Sequence, residues 1–187
     1  MKRRSMLVLA AASFLALQGA AYGASKQESQ AEARKVAQQA LAKLYKAQPS
    51  AKRAVEGAAG YAAFSNFGMK ILIAGGGTGK GVAVNNKTKA TTYMKMAEVQ
   101  AGLGFGVKKF SLVWVFETEK ALNDFVNSGW EFGAQATAAA KAGDQGAAYQ
   151  GAVSVAPGVW LYQLTDDGLA LELTAKGTKY YKDGDLN

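Results

Sequence analysis

The sequence predicts an α+β protein with a mainly antiparallel, sandwich-like β-sheet core, an N-terminal helix and one internal helix. Three observations support this prediction. A segment free of Gly and Pro and rich in Ala, Gln, Lys and Glu precedes Pro49, as is typical of a helix. From Gly60 onward, short apolar or alternating runs separated by turn-forming residues indicate strands. Residues 118–129 return to helical spacing.

The first 23 residues have the layout of a secretory signal peptide. Three basic residues at positions 2–4 precede an uncharged apolar run over residues 6–17, and small residues at 21 and 23 suit cleavage before Ala24. As a helix, this run spans about 18 Å, which is shorter than the ~30 Å hydrocarbon core of a bilayer. We therefore expect export with cleavage, to the periplasm or the exterior, rather than a permanent anchor.

Residues 24–49 predict an amphipathic helix. Ser25 and Glu28 have the spacing of a capping box, and Pro49 ends the helical pattern. The apolar stripe could pack on the domain, or the helix could lie in a membrane interface. In the second case its polar face would contribute Lys35, Lys43 and Lys46 to lipid contact. A shorter helix, capped by Ser50, is predicted to run to about Gly57.

Residues 50–187 predict the β-rich domain. The internal helix has Thr118 as its N-cap and Gly129 as its C-cap. Residues 110–117 are apolar on both faces, which indicates a central, covered strand. The predicted strands cover residues 61–64, 69–74, 81–85, 91–99, 101–107, 110–117, 130–138, 147–156, 159–165 and 169–175.

The composition excludes several classes of chemistry. The chain contains no His and no Cys, so it has no imidazole base, no thiolate nucleophile, no disulfide and no His- or Cys-ligated metal. The paired acids Asp166 and Asp167 precede a glycine and are typical of a turn rather than of acid–base catalysis. We expect a protein that is not an enzyme and has no catalytic residue, cofactor or metal site.

Positive charge is unevenly distributed. The net charge is +8, and residues 24–109 hold 14 basic residues against four acids, whereas residues 110–187 hold five lysines against ten acids. This asymmetry indicates either a surface that faces a polyanion or a plain solvated face. Beyond position 34 only Arg53 is an arginine, so base reading is not expected and nucleic acid is not a predicted partner. Anionic lipid head groups are the more natural partner of an exported protein.

Two glycine clusters have different patterns. The run from Ala74 to Gly81 lacks the first Gly and the Ser or Thr of a phosphate loop, so nucleotide hydrolysis is not expected. A turn made by Gly75, Gly76, Gly77 and Gly79 could still present backbone N–H groups to a phosphate. The alternating glycines 102, 104 and 106 leave one strand face bare. That face suits either close packing of another element or a shallow acyl-chain groove.

Lysines concentrate around the first glycine cluster. Two of them are expected at the tip of a hairpin that joins residues 81–85 to residues 91–99. Each lysine near an anionic surface contributes about 1 kcal/mol, so four give a dissociation constant near millimolar. Apolar insertion by Phe64, Phe67 and Met69, or by the first helix, is therefore also expected. The predicted lipid-binding lysines are Lys70, Lys80, Lys87, Lys89, Lys95, Lys108 and Lys109.

Several short motifs, in a fixed order, resemble one known family. The chain resembles the SYLF lipid-binding domain family, in its exported bacterial branch, over about residues 50–187. The matching segments are residues 59–66, the run ending Gly79-Lys80-Gly81-Val82, residues 102–106, residues 111–116 leading into Glu119-Lys120-Ala121-Leu122, Trp130-Glu131-Phe132-Gly133, and the tail 177–187.

The resemblance implies a non-enzymatic module that binds membrane lipid. Eukaryotic members are associated with phosphoinositides and, in the yeast branch, with actin. Family binding is attributed to an N-terminal amphipathic helix and a basic surface, which correspond here to residues 25–47 and the lysines of residues 70–109. For an exported bacterial chain, the expected ligand is an anionic phospholipid or another anionic envelope lipid. The alternative is an envelope structural or protein-interaction factor that binds an acidic protein or cell-wall polymer.

Overall fold

Three helices and nine strands form the part of the chain that the computed structural model describes, namely residues 3–71, 74–101, 106–132, 149–166, 168–170 and 178–187. None of the described helices is both long and apolar enough to cross a membrane. The elements are α1 Arg3–Ala47, α2 Ala51–Gly57, β1 Gly60–Ile71, β2 Ala74–Asn85, β3 Thr91–Ala101, β4 Gly106–Phe116, α3 Glu119–Ser128, β5 Trp130–Phe132, β6 Val153–Ala156, β7 Val159–Thr165, β8 Gly168–Ala170 and β9 Thr178–Lys182.

The described strands form one sheet in which every pairing is antiparallel. The strand order is β5-β9-β3-β2-β1-β4-β7-β6, and β8 also pairs with β7. The long strands β1 to β4 share one register, in which Gly60 lies opposite both Asn85 and Phe116. This arrangement confirms the predicted α+β class, with a single sheet as its centre.

The sheet is strongly curled. In a flat sheet, strands β4 and β9 would be about 19 Å apart, because four inter-strand steps of ~4.8 Å separate them. The rings of Trp114 on β4 and Tyr180 on β9 are only 5.1 Å apart. The sheet therefore wraps around the side chains on its concave face.

Helix α3 closes the concave side. Its residue Phe125 is fully buried, with ring centroids 4.9 Å from Phe116, 5.3 Å from Trp114 and 5.5 Å from Tyr180. The predicted caps are both present. The Thr118 hydroxyl accepts a hydrogen bond from the N–H of Ala121 at 3.2 Å, and Gly129 adopts φ 70° at the other end.

Helix α1 packs on the convex face. Ala33, Ala37, Ala40 and Leu44 are at most 3% exposed and contact apolar residues of the sheet, including Val113. This finding favours the packed reading of the stripe over the membrane-interface reading. The helix extends from Arg3 through Ser25 without a break, so the predicted capping box does not mark its start.

Several predicted strand boundaries are wrong. The two strands predicted at residues 61–64 and 69–74 are the single strand β1, the glycine run lies inside β2 rather than in a turn, and β9 was missed. Residues 149–152 form a turn that leads into β6. Helix α2 has its predicted bounds, although the Ser50 side chain makes no capping hydrogen bond. The predicted strands at 101–107, 130–138 and 169–175, and the alternating glycines, fall largely outside the described residues.

Candidate functional site

The glycine run does not form a phosphate-binding turn. Strand β2 lies between β1 and β3, so the residues of the run have strand partners on both sides. Gly75 lies opposite Lys70 and Gln100, and Gly79 lies opposite Asn66 and Met96. Because the backbone N–H groups of a central strand serve the two ladders, Gly75, Gly76, Gly77 and Gly79 have none to offer to a phosphate. The predicted glycine turn is therefore absent, whereas head-group binding by these residues stays a prediction.

Phe64 also lies away from any surface. Its side chain is fully buried in the concave core, with ring centroids 5.1 Å from Tyr180 and 6.3 Å from Phe125. Phe64 could therefore insert into a membrane only if its ring left the concave core. The other predicted residues of this group lie on β1 and β4 with side chains outside the described part of the structure, and their roles stay predictions: Phe67, Met69, Lys70 and Lys108.

Lys80 and Lys95 are cross-strand partners on the convex face, and carboxylates already neutralise both. Lys80 Nζ lies 2.8 Å from Glu32 of α1. Lys95 Nζ lies 2.9 Å from Asp183 and 3.4 Å from Asp185. The hydrogen bond to Asp183 raises the pKa of Lys95 above its ordinary value, because the carboxylate stabilises the ammonium. An external anion would have to compete with these acids for either lysine.

The same two lysines line a groove of about 670 Å³ between α1, the sheet and the C-terminal residues. Its walls carry more acids than bases, since Glu32, Asp183 and Asp185 face Lys80 and Lys95. The groove therefore lacks the positive charge that an anionic head group requires. In the described residues, no cluster of three or more potential acidic ligands could hold a metal ion.

The opposite charges of the two halves of the chain partly pair with each other. Lys43 of α1 lies 3.3 Å from Asp166, in the turn between β7 and β8. Together with the Lys95–Asp183 pair, this contact joins bases from the first half of the chain to acids from the second. The charge asymmetry of the sequence is therefore not all available to an outside partner.

The turn between β2 and β3 carries the predicted Lys87 and Lys89 at its tip. Both residues are exposed, and within the described residues neither ammonium has a carboxylate within 4.0 Å. The Asn85 side chain accepts hydrogen bonds from the N–H groups of Lys87 and Thr88 at 2.9 Å each, and Lys89 adopts φ 61°. This Asx-type bonding fixes the shape of the turn.

Asn86 attaches this turn to α2. Its Nδ2 donates to the carbonyl oxygens of Val55 at 2.7 Å and Ala58 at 2.9 Å, which would otherwise be unpaired at the end of the helix. Its backbone N–H donates to the carbonyl of Ala59 at 2.9 Å. The turn and α2 therefore form one unit at one end of the sheet.

Helix α2 adds cations that sequence reasoning missed. Its buried side carries Ala51 and Val55, whereas Lys52 and Arg53 are exposed. The one acid of α2, Glu56, lies 3.8 Å from Lys52. Lys46, in the last turn of α1, is exposed just before α2. We refer to the five cations of this region as the basic end: Lys46, Lys52, Arg53, Lys87 and Lys89.

Two partly buried tyrosines, Tyr45 and Tyr61, pack between α1, α2 and the sheet near the basic end. Burial, together with the nearby Tyr61 of β1 and Glu56 of α2, raises the pKa of Tyr45 on α1 to about 12. Burial likewise raises the pKa of Tyr61. Both phenols therefore stay neutral near pH 7 and pack as apolar supports between α1, α2 and the sheet.

The predicted lysines do not form one patch. Lys87 and Lys89 lie at the turn end of the sheet, and Lys80 and Lys95 lie about 17 Å along the strands. Lys109, which is exposed, lies on β4 towards the far end of the sheet, where the backbone of Lys70 and Lys108 also lies. Lys35 is exposed on α1. The local sequence does not predict that Lys52 and Arg53 lie near Lys87 and Lys89. Their proximity depends on the hydrogen bonds that Asn86 makes to α2.

Comparison with known proteins finds similarity to one family. Residues 97–187 match the family model Ysc84, described as "Las17-binding protein actin regulator". A curated relative from Aeromonas veronii, named "Beta cell expansion factor A", is 35% identical over 153 residues, which are 81% of this chain and 56% of that protein. The chain thus spans about half the length of this relative. Ysc84 is the SYLF family, known for lipid-binding and actin-regulating domains and not known as a family of enzymes. Residues 97–187 therefore match the Ysc84 (SYLF) family that the sequence motifs of this chain resemble.

Proposed function

We propose that this protein is a non-enzymatic, peripheral membrane-binding protein of the bacterial cell envelope that recognises anionic phospholipid surfaces. The observation that carries the proposal is the pair Lys87 and Lys89, which project from a rigid turn with no carboxylate close to either ammonium among the described residues. Anionic lipids attract such cations by about 1 kcal/mol each. Similarity to a lipid-binding family supports the same ligand class.

The proposal places the protein outside the cytoplasm, after cleavage before Ala24. The signal-peptide layout of residues 1–23 supports this location. Anionic glycerophospholipids, such as phosphatidylglycerol and cardiolipin, offer a dense negative surface in a bacterial envelope. Phosphoinositides and actin, the ligands of eukaryotic relatives, are not expected there.

The direct test is co-sedimentation of the protein, recovered from an exporting host, with phosphatidylcholine vesicles and with mixed phosphatidylcholine–phosphatidylglycerol vesicles. We expect binding to the anionic vesicles alone. A surplus of about four charges predicts a dissociation constant near 1 mM accessible lipid. Raising the ionic strength from about 0.1 M to about 0.5 M is expected to weaken binding more than tenfold, because exposed charges are screened. Mass spectrometry of the recovered protein determines its N-terminal residue and so tests the proposed cleavage before Ala24.

No binding to either kind of vesicle would contradict the proposal. Pull-down on an acidic cell-wall polymer or an acidic envelope protein would then test the alternative, an envelope structural or protein-interaction factor. Equal binding to neutral and anionic vesicles would contradict the electrostatic account of the ligand.

A further inference from the structure

We infer that the basic end, rather than the Lys80–Lys95 face or the apolar face of α1, is the surface that meets the anionic membrane. This inference rests on the proposed function and assigns it a site. The basic end lies before residues 97–187, which match the family model.

Most cations of the basic end have no carboxylate within 4.0 Å among the described residues. Lys80, Lys95 and Lys43 each have carboxylate partners between 2.8 and 3.4 Å. In the basic end, the one ion pair within the described residues is Lys52–Glu56, at 3.8 Å, between side chains that are both about 60% exposed. Such an exposed helical pair contributes little and can rearrange at low cost. Of the five cations, Lys52 is the one with a carboxylate within 4.0 Å among the described residues, and that carboxylate belongs to Glu56.

The geometry lets these cations meet one plane. Asn86 joins the turn to the C-terminal end of α2, and Lys46 precedes α2 by one short turn of chain. Helix α2 is about 10 Å long, so its cations and those of the turn lie within the reach of lysine side chains of one another. The backbone of the turn is fixed by the Asn85 hydrogen bonds and needs no reordering on binding. In this orientation, the long strands of the sheet would point towards the membrane surface.

The contact is electrostatic and leaves the fold intact. Among the side chains that the structure describes, Tyr181 is the one exposed large hydrophobic group, and it lies on β9, beside the groove of Lys80 and Lys95. The apolar side of α2 and the stripe of α1 are both buried in the domain. Binding at the basic end therefore does not require α1 to leave the sheet.

A pair of charge-matched variants tests the site. Lys87→Gln with Lys89→Gln removes two cations from the basic end, and Lys80→Gln with Lys95→Gln removes two from the other face. Both double variants lower the net charge equally, so overall charge is controlled. With phosphatidylglycerol-containing vesicles, we expect the first to bind roughly 30-fold more weakly than the parent and the second to change binding less than threefold. Circular dichroism and thermal melting confirm that each variant is folded.

Site-specific labelling gives a second readout. The natural chain has no Cys, so Thr88→Cys and Ser65→Cys each provide a single site for an environment-sensitive fluorophore. Both positions are exposed, the first at the turn and the second on the strand face near Lys80. Phosphatidylglycerol-containing vesicles are expected to shield the label at 88 from an aqueous quencher and to leave the label at 65 accessible.

Each outcome distinguishes the inference from the function beneath it. Loss of binding in the Lys87/Lys89 variant, with shielding at position 88, supports both. Binding that is lost in the Lys80/Lys95 variant, or equally in both variants, overturns the assigned site and leaves the proposed function standing. Shielding at position 65 but not at 88 has the same meaning. No vesicle binding by the parent protein overturns the function and the site together.

Discussion

Gly81→Ala is expected to destabilise the protein by about 3 kcal/mol or more, since overpacking against backbone has no cheap relief. A Cβ at this position would lie 2.1 Å from the carbonyl oxygen of Ala63 and 2.6 Å from the ring of Phe64. Phe64 lies directly opposite Gly81 and fills the space that a side chain there would need. The measurement is the free energy of unfolding from denaturant titration.

The matched control is Gly57→Ala, because a Cβ there meets nothing within 4 Å. Gly57 ends α2, so we expect this substitution to be neutral or to stabilise by less than about 1 kcal/mol. Similar effects of the two substitutions would contradict the close approach of β1 and β2. Gly81 would then be replaceable, and Phe64 would not fill the space beside it.

Phe125→Ala is expected to lower the free energy of unfolding by about 3–5 kcal/mol, the range for large cavities in aromatic cores. The Phe125 ring contacts aromatic rings from β1, β4 and β9, so its loss removes the group that fills the curl of the sheet. For a chain of this size, each kcal/mol corresponds to about 2–4 °C in melting temperature. Thermal and denaturant unfolding measure the change.

Asn123→Ala, on the exposed side of the same helix, is the control and is expected to change stability by less than about 0.5 kcal/mol. Phe125→Leu, which keeps most of the apolar volume, is expected to fall between the two. If Phe125→Ala were as mild as the control, α3 would not close the concave core. The close approach of β4 and β9 would then need another explanation.

Local signals predicted the elements whose ends are set by local chemistry. Thr118 and Gly129 bound α3 in the structure as their cap chemistry requires. The apolar run of β4 is buried on both faces, as a strand between two layers must be. The glycine run gives no strand signal in the sequence, because glycine has no side chain that could show an alternating pattern. Strand β9 does show one, since Thr178 and Tyr180 are buried and Lys179 is exposed between them.

The curl of the sheet and the charge pairing are non-local and could not be read from the sequence. The Lys95–Asp185 contact joins residues 90 positions apart, and no spacing rule connects them. Charge counting therefore correctly found an excess of lysine but could not tell neutralised lysines from free ones. The basic end likewise depends on Asn86, a turn residue whose side chain meets α2 only in the folded state.

If the folded domain binds an anionic surface through its basic end, α1 stays packed on the sheet. Hydrogen–deuterium exchange with and without phosphatidylglycerol-containing vesicles distinguishes this state from one in which α1 is released. We expect slower exchange at residues 51–57 and 85–90 on binding, and no change at residues 33–44 of α1. Faster exchange in residues 33–44, together with exposure of the convex sheet face, would contradict this expectation and would assign membrane contact to a released α1.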